Sequence, residues 1–276
     1  MQFGPIVSAG WLEAHLDHAG LVVVDCRWYL GEPERGPAEY ARSHIRGAIY
    51  MDLDQDLSAP TGPGRHPLPA TDDFLAKLGR SGISPGSAVV AYDDRGGAVA
   101  ARLWWMLRDL GHERVAVLDG GLAEWPAELM DDAEVAVEAA VYTASAGHMP
   151  SVDRAGLSAR LGSVVALDAR APERYRGETD PVDPVAGHIP GAISATLTDN
   201  LAADMRFKTP ADLAARYQEL GTAGSEVVSY CGSGVTACHN ILAMELAGLP
   251  TATLYPGSWS DWSTAGMPVA TGPEPG

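Results

Sequence analysis

The chain of 276 residues contains the same series of short motifs twice, in the same order along the sequence. The four motif pairs are VVVDCR at 22–27 with VALDAR at 165–170, HIRGAI at 44–49 with HIPGAI at 188–193, VVAYD at 89–93 with VVSYC at 227–231, and LDGGLAEW at 118–125 with LYPGSWSDW at 254–262. Because chance is a poor explanation of four ordered matches, the sequence predicts two homologous domains of about 130 residues each.

The stretch between the two series has the character of a linker. It is rich in Ala and Gly and shows little amphipathic patterning. We therefore predict a first domain at residues 1–136, a linker at 137–147 and a second domain at 148–276.

Short apolar runs alternate with helical patterns in both halves. Such continuous apolar runs, with helices between them, are typical of a parallel sheet that is covered on both faces. The predicted strands are Leu21–Asp25, Ala88–Tyr92, Val115–Leu118, Val164–Asp168, Glu226–Tyr230 and Thr251–Tyr255, and the predicted helices are Ala98–Leu110 and Val235–Ala247. In a sheet of this kind we expect the ligand site at the carboxyl ends of the strands.

The composition excludes several classes of function. A net charge of −17 argues against binding to nucleic acids or to anionic membranes, both of which need a basic surface. The sequence has no signal peptide pattern, no apolar run long enough for a membrane helix and only three cysteines, so we expect a cytoplasmic protein with reduced thiols. No metal-binding spacing and no dinucleotide fingerprint is present, so we expect no metal and no cofactor.

The strongest chemical signal is YCGSGVTAC at residues 230–238. Cys231 follows a predicted strand, and Gly232 and Gly234 allow the next backbone N–H groups to turn inward before a helix begins. Inward amides and the positive end of a helix stabilise a thiolate, so the pattern predicts a nucleophilic cysteine. The alternative is that Cys231 is a small core residue. The first-half counterpart, Asp93, cannot carry sulfur, so we expect the second domain to be the catalytic one.

The loop CGSGVTAC resembles the active-site loop of the tandem-domain rhodanese superfamily, and is most similar to its 3-mercaptopyruvate sulfurtransferase branch. The similarity extends over nearly the whole chain, through HIRGAI, YDD, LWWMLRDLGH, LDGGL, RYRGE, GHIPGAI and YPGSWSDW. It implies an α/β fold of two rhodanese-like domains, each a mainly parallel sheet with helices on both faces. The thiosulfate branch has two basic residues after the cysteine, where this chain has Gly232 and Ser233.

The resemblance also implies site residues outside the cysteine. Ser233 matches the family's loop serine, and His44 matches a histidine that reaches the loop. An acidic residue upstream, Glu34 or Glu32, completes this group, which would move protons during catalysis. The alternatives are that His44 only fixes its own turn by hydrogen bonding and that Ser233 only completes the backbone turn.

Arg176 matches a family arginine that binds the substrate carboxylate, for which a planar guanidinium is well suited. The alternative is a solvated surface arginine. We expect the backbone of Gly232, Gly234, Val235 and Thr236 to help hold the anionic substrate. The chain lacks the family's usual second arginine, and Arg65 is a further candidate for this role.

Other polar residues of the motifs are expected to be structural. His188 opens the second copy of the HIxGAI motif and, by the symmetry of the repeat, faces away from the site. Cys238 lies two helical turns beyond Cys231 and is expected to pack in the interior, with a resolving thiol as the alternative. Cys26 follows a strand and is expected to be buried.

The loop pattern predicts a nucleophilic cysteine, and the resemblance implies a sulfurtransferase in which Cys231 takes sulfur from 3-mercaptopyruvate, a small anionic donor, and passes it to cyanide or to a thiol such as thioredoxin or a small thiol. Thiosulfate as the donor is the first alternative. A phosphatase or arsenate reductase would need an arginine six positions after the cysteine, where this chain has Ala237. A non-catalytic binding module is a further alternative, but it leaves the cysteine loop unexplained.

Overall fold

The computed structural model describes residues 4–131 and 138–276, so the predicted domain boundary at 136 and 137 lies outside the described residues. The chain divides into two compact units. Described residues of the first unit are 4–60, 69–131, 138–148 and 203–207, and those of the second are 61–68, 149–202 and 208–276. Each unit therefore includes a short segment from the other half of the sequence.

The first unit is built on a parallel sheet of five strands. Its strands are β1 (Ile6–Val7), β2 (Leu21–Asp25), β3 (Ile49–Tyr50), β4 (Ala88–Tyr92) and β5 (Val115–Leu118), in the spatial order β1-β5-β4-β2-β3. Its helices are α1 (Ala9–His15), α2 (Arg35–Arg42), α3 (Thr71–Arg80) and α4 (Ala100–Asp109), with a 3-10 turn at Gly121–Glu124. Every residue of β4, the central strand, is buried, as expected for a strand covered on both faces.

The second unit is built on a parallel sheet of four strands. Its strands are β6 (Val165–Asp168), β7 (Ile193–Ser194), β8 (Val227–Tyr230) and β9 (Thr253–Leu254), in the order β7-β6-β8-β9. Its helices are α5 (Arg154–Arg160), α6 (Pro172–Arg176), α7 (Pro210–Glu219), α8 (Ala237–Leu246) and α9 (Ser258–Thr264), with a 3-10 turn at Leu197–Asn200. A parallel bridge between Ser151 and Leu254 takes the place that the β1 pairing has in the first unit.

The two units repeat the same polar contacts as well as the same strands. In the first, Arg27 binds the carboxylate of Asp25 and donates to the carbonyl of Ser43. In the second, Arg170 binds Asp168 and donates to the carbonyl of Gly187 in the same way. The sequence repeat is thus a structural repeat, and the predicted α/β fold is confirmed.

The HIxGAI motif also makes equivalent contacts in both units. His44 stacks on Tyr40, with ring centroids 4.3 Å apart, and its Nδ1 lies 2.9 Å from the Tyr40 carbonyl oxygen. His188 stacks on Tyr175 at 3.8 Å, and its Nδ1 lies 2.8 Å from the Tyr175 carbonyl oxygen. Both histidines are fully buried, and each fixes the turn that leads into a strand at the edge of its sheet.

The loop after β4 encloses a carboxylate, that of Asp93, at the position that Cys231 has in the second unit. Its oxygens accept four backbone hydrogen bonds of 2.7 to 2.9 Å, from the N–H groups of Arg95, Gly97, Val99 and Ala100. Burial raises the pKa of Asp93, while these amide donors act in the opposite direction. The loop after β4 therefore surrounds a carboxylate with backbone N–H donors.

Replacing Asp93 with Asn should destabilise the first unit. The side-chain NH2 group of Asn would face backbone N–H donors, so that at least one buried amide loses its acceptor, at a cost of about 1–3 kcal/mol in the free energy of unfolding. Urea unfolding of the full chain measures this change. Asp94→Asn is the matched control, because Asp94 is exposed and keeps an oxygen for the Tyr29 hydroxyl. Equal stability of both variants would contradict the assignment of an anion-binding loop.

Candidate active site

Cys231 is the first residue after β8, and its side chain sits inside the following loop. The Sγ atom accepts a hydrogen bond from the Gly234 N–H at 3.1 Å. The residue is almost fully buried, so the protein and not bulk water sets the environment of the sulfur. The loop therefore directs a backbone N–H donor at the cysteine side chain.

The loop is fixed from the other side by the segment that follows β9. The Ser258 hydroxyl accepts the Cys231 N–H at 3.0 Å, and the Trp259 N–H donates to the Cys231 carbonyl at 2.9 Å. The Ser260 N–H donates to the Gly232 carbonyl at 2.9 Å. These bonds join the cysteine loop and the YPGSWSDW segment into one backbone unit.

Glycine is required at position 234 for two physical reasons. Its φ of +77° is in the left-handed region, where side chains are disfavoured. A β-carbon there would also lie 2.3 Å from the carbonyl oxygen of Pro256. The Gly234 N–H is therefore directed at the sulfur by a backbone turn that only glycine can adopt without a clash.

Ser233 is paired with a histidine, but not with the one that the sequence suggested. Nδ1 of His66 lies 2.7 Å from the Ser233 hydroxyl, and both residues are buried. His66 belongs to the segment 61–68 that the structure groups with the second unit. Sequence reasoning missed this residue, because its segment lies outside the four repeated motifs.

The structure places His44 and Glu34 in the first unit. His44 makes the contacts to Tyr40 described above, and its backbone pairs with Met130. These contacts fit the alternative in which His44 fixes its own turn. Glu34 is exposed at the start of α2, where its side chain makes no capping hydrogen bond. Because the pairing with Ser233 is made by His66, we assign the proton-relay role to His66 in the proposal below.

A guanidinium does lie beside the loop, but it is that of Arg174. A β-carbon built on Gly232 would be 3.4 Å from Nη1 of Arg174. Arg176 instead binds the exposed carboxylate of Glu178, with its Nε 2.7 Å from Oε1. The two arginines belong to the same short helix, α6, and of these two it is Arg174 that lies beside the loop.

The remaining loop residues lead into α8. Val235 is buried and Thr236 is half-buried, and their carbonyl groups accept the N–H groups of Cys238 and His239. Cys238 is buried, and its thiol lies 3.4 Å from the Gly234 carbonyl oxygen. Cys26 is buried as well, and burial, followed by the nearby carboxylates of Asp25 and Asp93, raises the pKa of its thiol well above the ordinary value.

Residues 4–131 and 138–276 contain no cluster of three or more His, Cys, Asp or Glu side chains arranged to hold a metal ion. Over the same residues, the helices are all too short or too polar to cross a bilayer.

Comparison with known proteins agrees with this geometry. The family model for the rhodanese-like domain matches residues 8–128 and 154–265. A probable 3-mercaptopyruvate sulfurtransferase of Pseudomonas aeruginosa is 46% identical over 283 residues, which cover 99% of this chain and 100% of that protein. The human 3-mercaptopyruvate sulfurtransferase is 36% identical, with 95% of this chain and 93% of that protein covered.

Two further relatives widen the comparison. The provisionally named thiosulfate sulfurtransferase SseB of Mycobacterium tuberculosis is 40% identical over 88% of this chain and 87% of its own length. The crystal structure of SseA, a 3-mercaptopyruvate sulfurtransferase of Escherichia coli, superposes with a TM-score of 0.81 at 32% identity, covering 93% of this chain and 99% of that one.

The chain belongs to the rhodanese-like family, with two copies of the domain. Because it matches sulfurtransferases over nearly its full length and theirs, the chain is an enzyme of that class, a sulfurtransferase.

Ser258 has a left-handed backbone, with φ of +54°, and its hydroxyl accepts the Cys231 N–H and donates to the Tyr255 carbonyl. Ser258→Ala removes both hydrogen bonds and keeps the backbone strain, so we expect a loss of about 1–3 kcal/mol in the free energy of unfolding. Ser258→Gly removes the same bonds but relieves the strain, and should be about 1 kcal/mol more stable than the Ala variant. Urea unfolding of both variants checks this order. An Ala variant more stable than the Gly variant would contradict it.

Proposed function

We propose that the chain transfers sulfur from 3-mercaptopyruvate to an acceptor through a persulfide on Cys231. The observation that supports this most directly is the hydrogen bond from the Gly234 amide to the Cys231 sulfur. In this bond a backbone N–H of the loop donates to the cysteine side chain. The relatives named as 3-mercaptopyruvate sulfurtransferases support the choice of donor.

The first unit provides an internal comparison for the loop. There the loop at the equivalent position surrounds the carboxylate of Asp93 with four amide donors. A loop of this shape in the second unit would stabilise negative charge on the sulfur of Cys231 and, after transfer, on the outer sulfur of its persulfide. Preorganised amides of this kind stabilise charge that develops during a reaction.

In the first half of the reaction, the Cys231 thiolate attacks the sulfur of 3-mercaptopyruvate. An S–S bond forms, and the C–S bond of the donor breaks. The electron pair of that bond remains on the carbon as the enolate of pyruvate. The proton of the donor thiol ends on this carbon, so the products are pyruvate and the Cys231 persulfide anion.

In the second half, an acceptor nucleophile attacks the outer sulfur of the persulfide. The S–S bond to Cys231 breaks, and its electron pair returns to Cys231 as thiolate. Cyanide yields thiocyanate, and a thiolate, from thioredoxin or from a small thiol, yields a new persulfide. The enzyme thus alternates between two covalent forms, which is typical of ping-pong kinetics.

The pair formed by Ser233 and His66 is suited to move the donor proton. Their 2.7 Å separation is a hydrogen bond between a hydroxyl and an imidazole, and Ser233 lies two residues after Cys231. An imidazole accepts and returns a proton near neutral pH, so the pair can take the proton from the donor thiol and supply it to the enolate.

Thiosulfate is the second candidate donor, because SseB of M. tuberculosis is similar over most of the chain. Neutral residues follow the cysteine here, Gly232 and Ser233, and they provide no extra charge for a dianion. We therefore expect kcat/KM for 3-mercaptopyruvate to exceed that for thiosulfate. The reverse order, measured with cyanide as the acceptor, would establish thiosulfate as the better donor.

Cys231→Ser should reduce turnover of 3-mercaptopyruvate to the background rate, because a hydroxyl cannot hold the transferred sulfur. Mass spectrometry of donor-treated wild-type protein should find one added sulfur atom on the peptide that contains Cys231. Cys238→Ser is the matched control, since Cys238 lies in α8 and its thiol faces the Gly234 carbonyl. A Cys231→Ser enzyme as active as wild type, or added sulfur only on Cys238 or Cys26, would contradict the mechanism.

The two arginines of α6 should differ in their effect on the donor. Arg174→Gln removes the guanidinium beside Gly232, and we expect about a tenfold or greater rise in KM for 3-mercaptopyruvate, the effect of losing a hydrogen bond to a charged group. Arg176→Gln removes a partner of Glu178 and should change KM by less than about twofold, as for an exposed ion pair. Steady-state kinetics of both variants measures the difference. A larger effect of Arg176→Gln would restore the assignment that the sequence suggested.

A further inference from the structure

A second guanidinium, that of Arg65, lies over the same loop peptide as Arg174. A β-carbon built on Gly232 would be 3.1 Å from Nη2 of Arg65 and 3.4 Å from Nη1 of Arg174. Nitrogens of two different side chains therefore come within hydrogen-bonding distance of a single point. That point is next to the nucleophile, because Gly232 follows Cys231 directly.

One buried carboxylate, that of Asp183, holds both groups. Nη1 of Arg65 is 2.7 Å from Oδ1 of Asp183, and Nη2 of Arg174 is 2.8 Å from its Oδ2. Each arginine thus binds Asp183 with one nitrogen and turns another toward the loop. Within the described part of the chain, neither Nη2 of Arg65 nor Nη1 of Arg174 has a hydrogen-bond acceptor.

Both arginines are also held at a second point. The Arg65 N–H donates to the Ser260 hydroxyl at 3.0 Å, which ties its backbone to the segment that supports the cysteine loop. Arg174 makes two further bonds of 3.2 Å to the carboxylate of Asp180. Groups held in this way need little further ordering when a ligand binds.

We propose that Arg65 is the second arginine of the donor site, and that Arg65 and Arg174 together bind the carboxylate of 3-mercaptopyruvate above Gly232. The proposal rests on the function proposed above and specifies how that site recognises its donor. The second half of the sequence has no Lys or Arg between Arg176 and His188, so the second cation comes from the segment 61–68 instead.

This arrangement explains why an acidic residue, Asp183, lies at the centre of a site that is proposed to bind an anion. Asp183 is almost fully buried, and each of its oxygens is occupied by one guanidinium. It separates the two positive groups, so that their free N–H groups face a ligand and not each other. A carboxylate has two oxygens and accepts such paired donors well.

Arg65→Gln tests the proposal. We expect kcat/KM for 3-mercaptopyruvate to fall by about 10- to 100-fold, mostly through KM, as for the loss of a hydrogen bond to a charged group. The inhibition constant of pyruvate, which carries the same carboxylate, should rise by a similar factor. kcat/KM for cyanide, which reacts with the persulfide already formed, should stay within about twofold of wild type.

The readouts separate substrate binding from a structural role. A loop displaced by the substitution would impair both half-reactions, whereas a lost carboxylate contact impairs only the first. Arg65→Lys, which keeps the charge but not the planar donor pair, should recover part of the lost affinity. Arg160→Gln is the matched control, because it removes the same charge from an ion pair with Glu226 and should behave as wild type.

Two results would overturn the inference. One is an unchanged KM for 3-mercaptopyruvate and an unchanged pyruvate inhibition constant in Arg65→Gln. The other is an equal loss in both half-reactions. Failure of the proposed function is distinguishable, since in that case the wild-type enzyme itself would neither turn over 3-mercaptopyruvate nor form a persulfide on Cys231.

Discussion

The buried pair of Asp168 and Arg170 at the end of β6 is the interaction on which the second unit depends. Arg170 binds both oxygens of Asp168, donates to the Gly187 carbonyl and places its guanidinium 4.6 Å from the ring centre of Trp259. A charge taken out of water must be paired in this way, because an unpaired buried ion is costly. One residue pair therefore fixes a strand end, the turn before β7 and the segment that supports the cysteine loop.

From this pair a series of alternating charges runs outward. Arg170 contacts Asp180 at 3.4 Å, Asp180 binds Arg174, and Arg174 shares Asp183 with Arg65. Each acidic group lies between two basic ones, so the series orients the guanidinium groups at the loop without leaving a buried charge unpaired. The first unit contains the equivalent ion pair, formed by Asp25 and Arg27. The loop that follows β4 there surrounds the carboxylate of Asp93.

The sequence was sufficient for the fold and for the position of the cysteine loop, because both are encoded by local patterns. The apolar runs predicted β2, β4 and β5 with the bounds that the structure has, and the Gly-flanked cysteine placed Cys231 at the end of β8. The shortest elements, such as β1, β3 and β7, were missed, since two residues carry no periodicity.

The other two site assignments depend on information that the sequence does not hold. Arg174 and Arg176 are two positions apart on α6, so their side chains differ by about 200° in direction around the helix. A helix of five residues is too short for a hydrophobic pattern to predict which of its sides faces the loop. Arg65 and His66 lie in a Gly- and Pro-rich segment outside the four repeated motifs. The sequence named Arg65 only as a further candidate and did not single out His66, and the tertiary structure groups both residues with the cysteine loop.

The segment 61–68 has an evolutionary consequence. A duplicated gene begins as two equivalent copies, and either could be lost again. Here the structure groups His66 and Arg65, which are encoded in the first copy, with the copy that holds Cys231. A gene shortened to its second half would keep Cys231 but lose both of these residues in one deletion, so the two copies are no longer interchangeable.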